Sequence, residues 1–162
     1  MASTWAESYL GRVRARVGDD DTIFFVGARG VILDDRNRLL LIQRSDNHHW
    51  AIPAGAMELG ETIAECAIRE TYEETGLRAT SLTPFAFYSA YTFTNQYGHT
   101  YQQVLMSFRI HTWEGELARQ TDESVDAGFF ALDALPGPKS FIIEETLADL
   151  AAYERTGTLV MK

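Results

Sequence analysis

Apolar and polar positions alternate along the chain in a way that divides it into strand-like runs and three helical stripes. "TIFFVGARGVILDDRNRLLLIQRS" reads as two β-rich runs about a polar turn at Asp34 to Asn37, the pattern of a hairpin. "HHWAIPAG" follows as a short extended piece broken by Pro53 and Gly55. "LTPFAFYSAYTF" and "TYQQVLMSFRIHTW" flank "TNQYGH", and Val104, Met106, Phe108 and Ile110 alternate in the second run, which predicts another hairpin with one buried face. After the acidic loop "EGELARQTDESVD" comes a short strand, "AGFFAL", and then the break "LPGP".

The first helical stripe is "WAESYLGRVRARVG", with Trp5, Tyr9, Val13 and Val17 at near-helical spacing, Gly18 as its stop, and Arg12, Arg14 and Arg16 as the solvated side. The last is "SFIIEETLADLAAYERTG", with Ile143, Leu147, Leu150 and Ala151 on one face. Between them, Thr62 with Glu65 three residues on has the form of a capping box, and Gly76 supplies a stop, so a helix is predicted from Thr62 to Thr75. This order predicts an α/β fold with helices packed on a mixed β-sheet. No repeat or long linker divides the chain, so it reads as one globular unit, residues 1–20 a helical extension and 21–162 the main domain.

Composition narrows the function. Of 162 residues, 46% are hydrophobic, enough for a sizeable core. A net charge of -9 opposes electrostatic adhesion to DNA or an anionic membrane, so an anionic substrate needs a metal or a local arginine cluster. No apolar run reaches membrane-spanning length, "MASTWAESYL" lacks a secretory signal, and the single cysteine, Cys66, cannot form an internal disulfide. A soluble, cytoplasmic protein is expected.

The middle helix carries the candidate chemistry. At 100° per residue, Ala64, Ala67, Ile68, Thr71 and Thr75 share one side, while Glu70, Glu73 and Glu74 gather on another. Glu70 and Glu74 form a like-charge i,i+4 pair that costs about 0.2 to 0.5 kcal/mol. All three sit near the negative end of the helix dipole, where each anion costs about 0.3 to 1 kcal/mol more. Either the helix presents a solvated acidic face, or the oxygens hold a cation, for which Mg²⁺ or Mn²⁺ suits better than zinc.

Spacing separates these readings. Gly55, Glu61, Arg69, Glu70, Glu73, Glu74, Gly76 and Leu77 match the Nudix box G-x5-E-x7-R-E-U-x-E-E-x-G-U, with Thr71 in place of the first aliphatic residue. The seven positions other than the aliphatic ones would fall in register by chance about once in 10⁹ windows. The chain therefore resembles the Nudix hydrolases, closely in the box and loosely over the rest. That resemblance implies an α/β/α sandwich and Mg²⁺- or Mn²⁺-dependent hydrolysis of a phosphoanhydride in a nucleoside diphosphate linked to another group. It also implies metal ligands at Glu70, Glu73, Glu74 and the carbonyl of Ala54, with Arg69 orienting the glutamates. Gly55, Glu61 and Gly76 become structural parts of the box. The catalytic base is either Glu70 or a downstream acid, with Glu123 ahead of Glu116 and Asp122.

Substrate choice lies outside the box, where the signals are mixed. "PAG" at Pro53 to Gly55 resembles ADP-ribose pyrophosphatases, yet Thr92 stands where those enzymes often carry proline. Tyr91 and Tyr97 are candidates for stacking on a base, and Arg44, at the end of its strand, for reaching a phosphate. A non-catalytic nucleotide sensor with the same fold is the competing reading; RNA 5′-end hydrolysis gains nothing from the acidic charge. A homodimer is implied by the resemblance alone.

Overall fold

The computed structural model describes residues 5–162. Met1 to Thr4, which open the 1–20 extension and the segment read for a secretory signal, lie outside the described residues. The chain runs α1 (Tyr9–Val17), β1 (Ile23–Ile32), β2 (Arg38–Arg44), β3 (Trp50–Ala51), β4 (Ala54–Ala56), α2 (Ile63–Thr75) and β5 (Arg78–Tyr88). It continues through β6 (Thr92–Thr94), β7 (Thr100–Glu114), β8 (Ser124–Ala131), α3 (Ile142–Thr156) and β9 (Val160–Met161). A mixed sheet has the order β4-β1-β7-β5-β9, with β6 beside β7, and a second, antiparallel sheet has the order β3-β2-β8. Among the described residues, no helix is long and apolar enough to cross a membrane.

The first expected hairpin is only a turn. The Asn37 N–H donates to the Asp34 carbonyl at 3.0 Å, and a single bridge joins Leu33 to Leu39. Beyond it β1 runs parallel to β7, while β2 pairs with β8. The reason lies in the composition of the strands. Residues 27–32 of β1 and Leu39 to Ile42 of β2 are all buried, so these stretches have no face to give to water, while Phe24 and Val26 at the start of β1 are exposed. Strands of that kind need cover on both sides.

The second hairpin forms, β5 antiparallel to β7 with irregular register around Pro84, but β7 is buried on two faces rather than one. Phe108 packs with Ala28, Cys66 and Ala67 on the α2 side. Leu105 packs with Phe85, Tyr88, Ile143 and Leu150 on the α3 side. The mixed sheet thus lies between helices, an α/β/α arrangement.

Helix α1 turns a different face inward from the one its apolar spacing predicts, whereas α3 keeps Ile143, Leu147 and Leu150 inward as expected and differs only at Ala151. In α1, Trp5 before the helix and Tyr9 and Val17 within it are exposed, whereas Leu10 and Arg14 are buried, Arg14 to 3%. The Arg14 guanidinium donates to the carbonyls of Gly18, Asp21 and Thr100 at 3.0, 2.7 and 3.0 Å and lies 4.8 Å over the Tyr101 ring. Three backbone acceptors and an aromatic face offset the buried charge, although the Nε–H has no partner among the described residues, so Arg14 leaves the solvated side. In α3, Ala151 is exposed while Thr146 and Asp149 are buried. They meet polar groups of the sheet: Arg29 donates to Thr146 at 3.0 Å and Tyr88 to Asp149 at 2.6 Å.

Candidate metal and catalytic site

Helix α2 forms where its local signals place it. Thr62 Oγ1 accepts from the Glu65 N–H at 3.2 Å, Glu65 Oε2 accepts from the Thr62 N–H at 2.8 Å, and Gly76 closes the helix at φ 74°. The sheet below is shaped for close approach. A Cβ on Gly30 would lie 2.4 Å from Thr71 Oγ1, so the helix rests on bare β1 backbone there. With that face fixed, Glu70 and Glu74 point inward and are only 8% and 3% exposed.

Arg69 ties the box together. Its guanidinium meets both Glu61 oxygens, Nε at 3.0 Å and Nη2 at 2.7 Å, and Nη1 donates to Glu70 at 2.7 Å and Glu73 at 3.0 Å. Nη2 also donates to the Ala56 carbonyl at 2.9 Å, fastening the helix to β4. Glu61 in turn accepts from the Glu58 N–H at 2.8 Å, which closes the loop before the helix. Gly55 lies against the Glu70 carboxylate; a Cβ there would fall 2.0 Å from its Cδ.

Glu123 arrives from the loop before β8. The Ser45 N–H donates to its carbonyl at 3.0 Å, and Ser124 Oγ donates to the Glu74 carbonyl at 3.1 Å, so β2 and α2 both hold this loop. Glu70, Glu74 and Glu123 each present an oxygen within 4.8 Å of the others. Glu74 Oε2 accepts from the Ala54 N–H at 2.9 Å, which puts the Ala54 backbone beside the trio.

This crowding perturbs all three acids. Burial pushes Glu70 up to about 7, against the pull of Arg69 and with help from the Glu123 charge. Burial and the Glu70 charge raise Glu74 well above the carboxylate range, with Arg44 opposing. Glu123 is also raised, by burial first and then by Glu73. Crowded carboxylates that only two arginines offset leave a deficit of positive charge, and an all-oxygen donor set fits a hard divalent ion.

The remaining expected residues are scattered. Glu73 stands outside the trio and faces Arg69. Arg44 holds Asp46 through two bonds of 2.9 and 2.7 Å, and its charge also acts on Glu74 and Glu123. Tyr91 donates to Glu145 on α3 and packs on Tyr88. Tyr97 is 71% exposed in the β6–β7 turn. Tyr91 is held at the Gln103 N–H, 2.7 Å from its carbonyl, with its hydroxyl on Glu145 of α3, while the Glu70, Glu74 and Glu123 oxygens gather beside Ala54. Ser124, which fastens the Glu123 loop to α2, carries no signal in sequence: a serine beginning a strand looks like any other.

Comparison with known proteins bears on the family and the fold. Residues 24–150 match the family model of the NUDIX domain. An NAD-capped RNA hydrolase NudC from Chromobacterium violaceum is 34% identical over 110 residues, 66% of this chain and 38% of that protein. An ADP-ribose pyrophosphatase from Methanocaldococcus jannaschii is 36% identical over 114 residues, 68% of this chain and 64% of that one. The chain thus spans less than two thirds of the length of these curated relatives. Among solved structures, a MutT NUDIX hydrolase from Burkholderia pseudomallei superposes with a TM-score of 0.67 at 25% identity, covering 80% of this chain and 99% of that one.

Proposed function

Because the chain belongs to the NUDIX family, we propose that it hydrolyses a phosphoanhydride in a nucleoside diphosphate linked to another group, with Mg²⁺ or Mn²⁺ at the glutamate trio. The observation that carries this reading is the meeting of Glu70, Glu74 and Glu123, two from one helix and one from a loop about fifty residues on. When bound, the metal neutralises pyrophosphate oxygens and lowers the pKa of a coordinated water.

The chain's own residues divide the remaining work. Glu70 and Glu74, with the Ala54 carbonyl, would hold the ion. Glu73 is held by Arg69 and completes the acidic face. Arg69 fixes Glu70 and Glu73 in place against Glu61, so their carboxylates need no reorganisation as charge develops. Glu123 takes the proton from the attacking water. Its support is negative for the rival: Glu70 is committed to Arg69 at 2.7 Å, whereas Glu123 is exposed at the mouth of the trio. Arg44 lies at the end of β2, where a small shift from Asp46 would let its planar fork meet a phosphate.

A panel of nucleoside triphosphates, ADP-ribose, nucleotide sugars and dinucleoside polyphosphates with Mg²⁺ or Mn²⁺ tests the reading. The expected outcome is turnover of a diphosphate-linked substrate, loss of it in Glu74→Gln, and a fall in kcat of about 10² to 10⁴ in Glu123→Gln with KM less affected. No turnover on the panel, or full activity in Glu74→Gln, sinks it.

A further inference from the structure

Glu58 lies in the loop between β4 and α2, at a position the box leaves open, and its side chain turns away from the trio. Both of its carboxylate oxygens accept from the Tyr9 N–H at 3.0 Å, from 49 residues back in the chain. Tyr9 opens α1, whose first turn carries no acid of its own, so Glu58 supplies the anion that the positive end of a helix dipole favours. Ser8 Oγ accepts from the Gly11 N–H at 3.0 Å, and the two acceptors together cap the helix. Behind its carboxylate, Glu58 also holds the box, because its N–H donates to Glu61 Oε1 at 2.8 Å. Glu61 holds Arg69 and Arg69 holds Glu70, so a line of hydrogen bonds runs from the start of α1 to the site. The far end of α1 is fixed to the mixed sheet. Arg14 reaches the Thr100 carbonyl at the start of β7, and His99 Nε2 lies 3.0 Å from Asp19 just past the helix. Within α1 only Leu10, Gly11 and Arg14 are buried, so ties at its two ends hold it rather than a broad apolar face.

We propose that Glu58 is a positioning residue for the metal site and that α1 is the strut it works against. The inference deepens the hydrolase reading and rests on it, since the ion at the trio is what this line of bonds serves. With its carboxylate on the Tyr9 N–H, Glu58 keeps its own backbone where Glu61 can accept from it. Arg69 is divided among Glu61, Glu70 and Glu73, and the share that Glu61 takes limits the pull on Glu70. Once Glu61 is released, Arg69 closes on Glu70 and Glu73 and competes with the ion for the Glu70 carboxylate. Groups one step behind a metal ligand change affinity by about 10- to 100-fold when removed, and Glu58 stands two bonds behind Arg69, so its effect is smaller. A loop acid that only faced water would keep its rotamer freedom instead of spending it on an amide from another element.

Two substitutions break the contact from opposite sides. Glu58→Ala removes the acceptor, and Tyr9→Pro removes the donor while leaving the helix intact. Proline is favoured at the first helical position, and Ser8, at φ -63° and ψ 156°, already has the extended backbone that precedes a proline. Tyr9→Ala keeps the N–H and controls for loss of the exposed ring. Mg²⁺ dissociation constants are measured by calorimetry at a temperature where circular dichroism shows every variant folded, alongside kcat and KM at saturating Mg²⁺. Glu58→Ala and Tyr9→Pro are each expected to weaken Mg²⁺ binding about three- to tenfold, with KM changed by less than about twofold. Tyr9→Ala leaves the affinity unchanged, and Glu58→Gln, which keeps a carbonyl oxygen for the N–H, retains most of it. The double variant is no weaker than either single one, because both break one contact. Unchanged affinity in Glu58→Ala, additive losses in the double variant, or an equal loss in Tyr9→Ala overturns the proposal. Absence of turnover on every nucleotide, with the losses in Mg²⁺ affinity present, defeats the hydrolase reading and leaves Glu58 as the positioning residue of an ion site.

Discussion

Between Gly55 and Glu70 a backbone and a carboxylate share the same few ångströms, and the space a β-carbon would need is taken by the acid. The box glycine is thus explained by what it lacks. That close approach buries Glu70 and lifts its pKa from 4.5 to about 7. Without metal, the folded protein keeps this proton up to about 7 while the unfolded chain releases it near 4.5, so it binds more protons across that window. The stabilisation from Glu70 is therefore intact below about 4.5 and is lost as pH rises through about 7. Glu74 and Glu123 are raised as well and act in the same direction. Glu61, whose burial is outweighed by the bonds and charge of Arg69, the Glu58 N–H and Cys66 together, is lowered and acts below this window. The melting temperature in EDTA is expected to fall between about pH 5 and pH 8, and saturating Mg²⁺ to reverse the fall, because the ion replaces the protons. A flat profile in EDTA contradicts this account of the trio.

For single elements, the contact that matters is the seat of α2 on β1. Thr71 sits directly over Gly30, with Ile110 close by, and a Cβ on Gly30 would lie 2.4 Å from Thr71 Oγ1 and 2.7 Å from Ile110 Cδ1. Gly30→Ala is expected to destabilise the fold by about 1 to 3 kcal/mol through overpacking, measured by urea denaturation. It should also weaken Mg²⁺ affinity by lifting the helix that carries Glu70 and Glu74. Unchanged stability and affinity would show that the seat is looser than its geometry. Helix α2 is also the element most legible in the sequence, because its cap, its stop and its spacing are all local. Strands β1 and β2 show the opposite case. Their turn is legible, but which sheet each joins depends on β7 and β8, roughly seventy to ninety residues downstream. The inward face of α1 is hidden for a similar reason, since Arg14 finds its acceptors at Thr100 and Asp21 rather than within the helix. At the site, helical spacing brings Glu70 and Glu74 together, whereas Glu123 is an acid in an acid-rich loop until the fold sets it beside them.

Across the whole molecule, the site lies where the two sheets come closest in sequence. Residues 50–56 pass from β3 in one sheet to β4 in the other through Pro53, and Glu74 binds the Ala54 N–H directly after the crossing. Glu70 and Glu74 belong to a helix packed on the mixed sheet, while Glu123 leads into β8 of the antiparallel one. An ion held by Glu70 and Glu74, with Glu123 facing it from the loop before β8, would act as a rivet at the seam between the two halves. Hydrogen exchange should show this: adding Mg²⁺ is expected to slow amides in β2 and β8 together with those of α2, and slowing confined to α2 would count against it. The same rivet sets a limit on motion during turnover. Glu123 precedes Ser124, which is bonded to the Glu74 carbonyl and paired with Arg44, so the backbone beneath the acid is tied to both halves while its exposed side chain is free to turn.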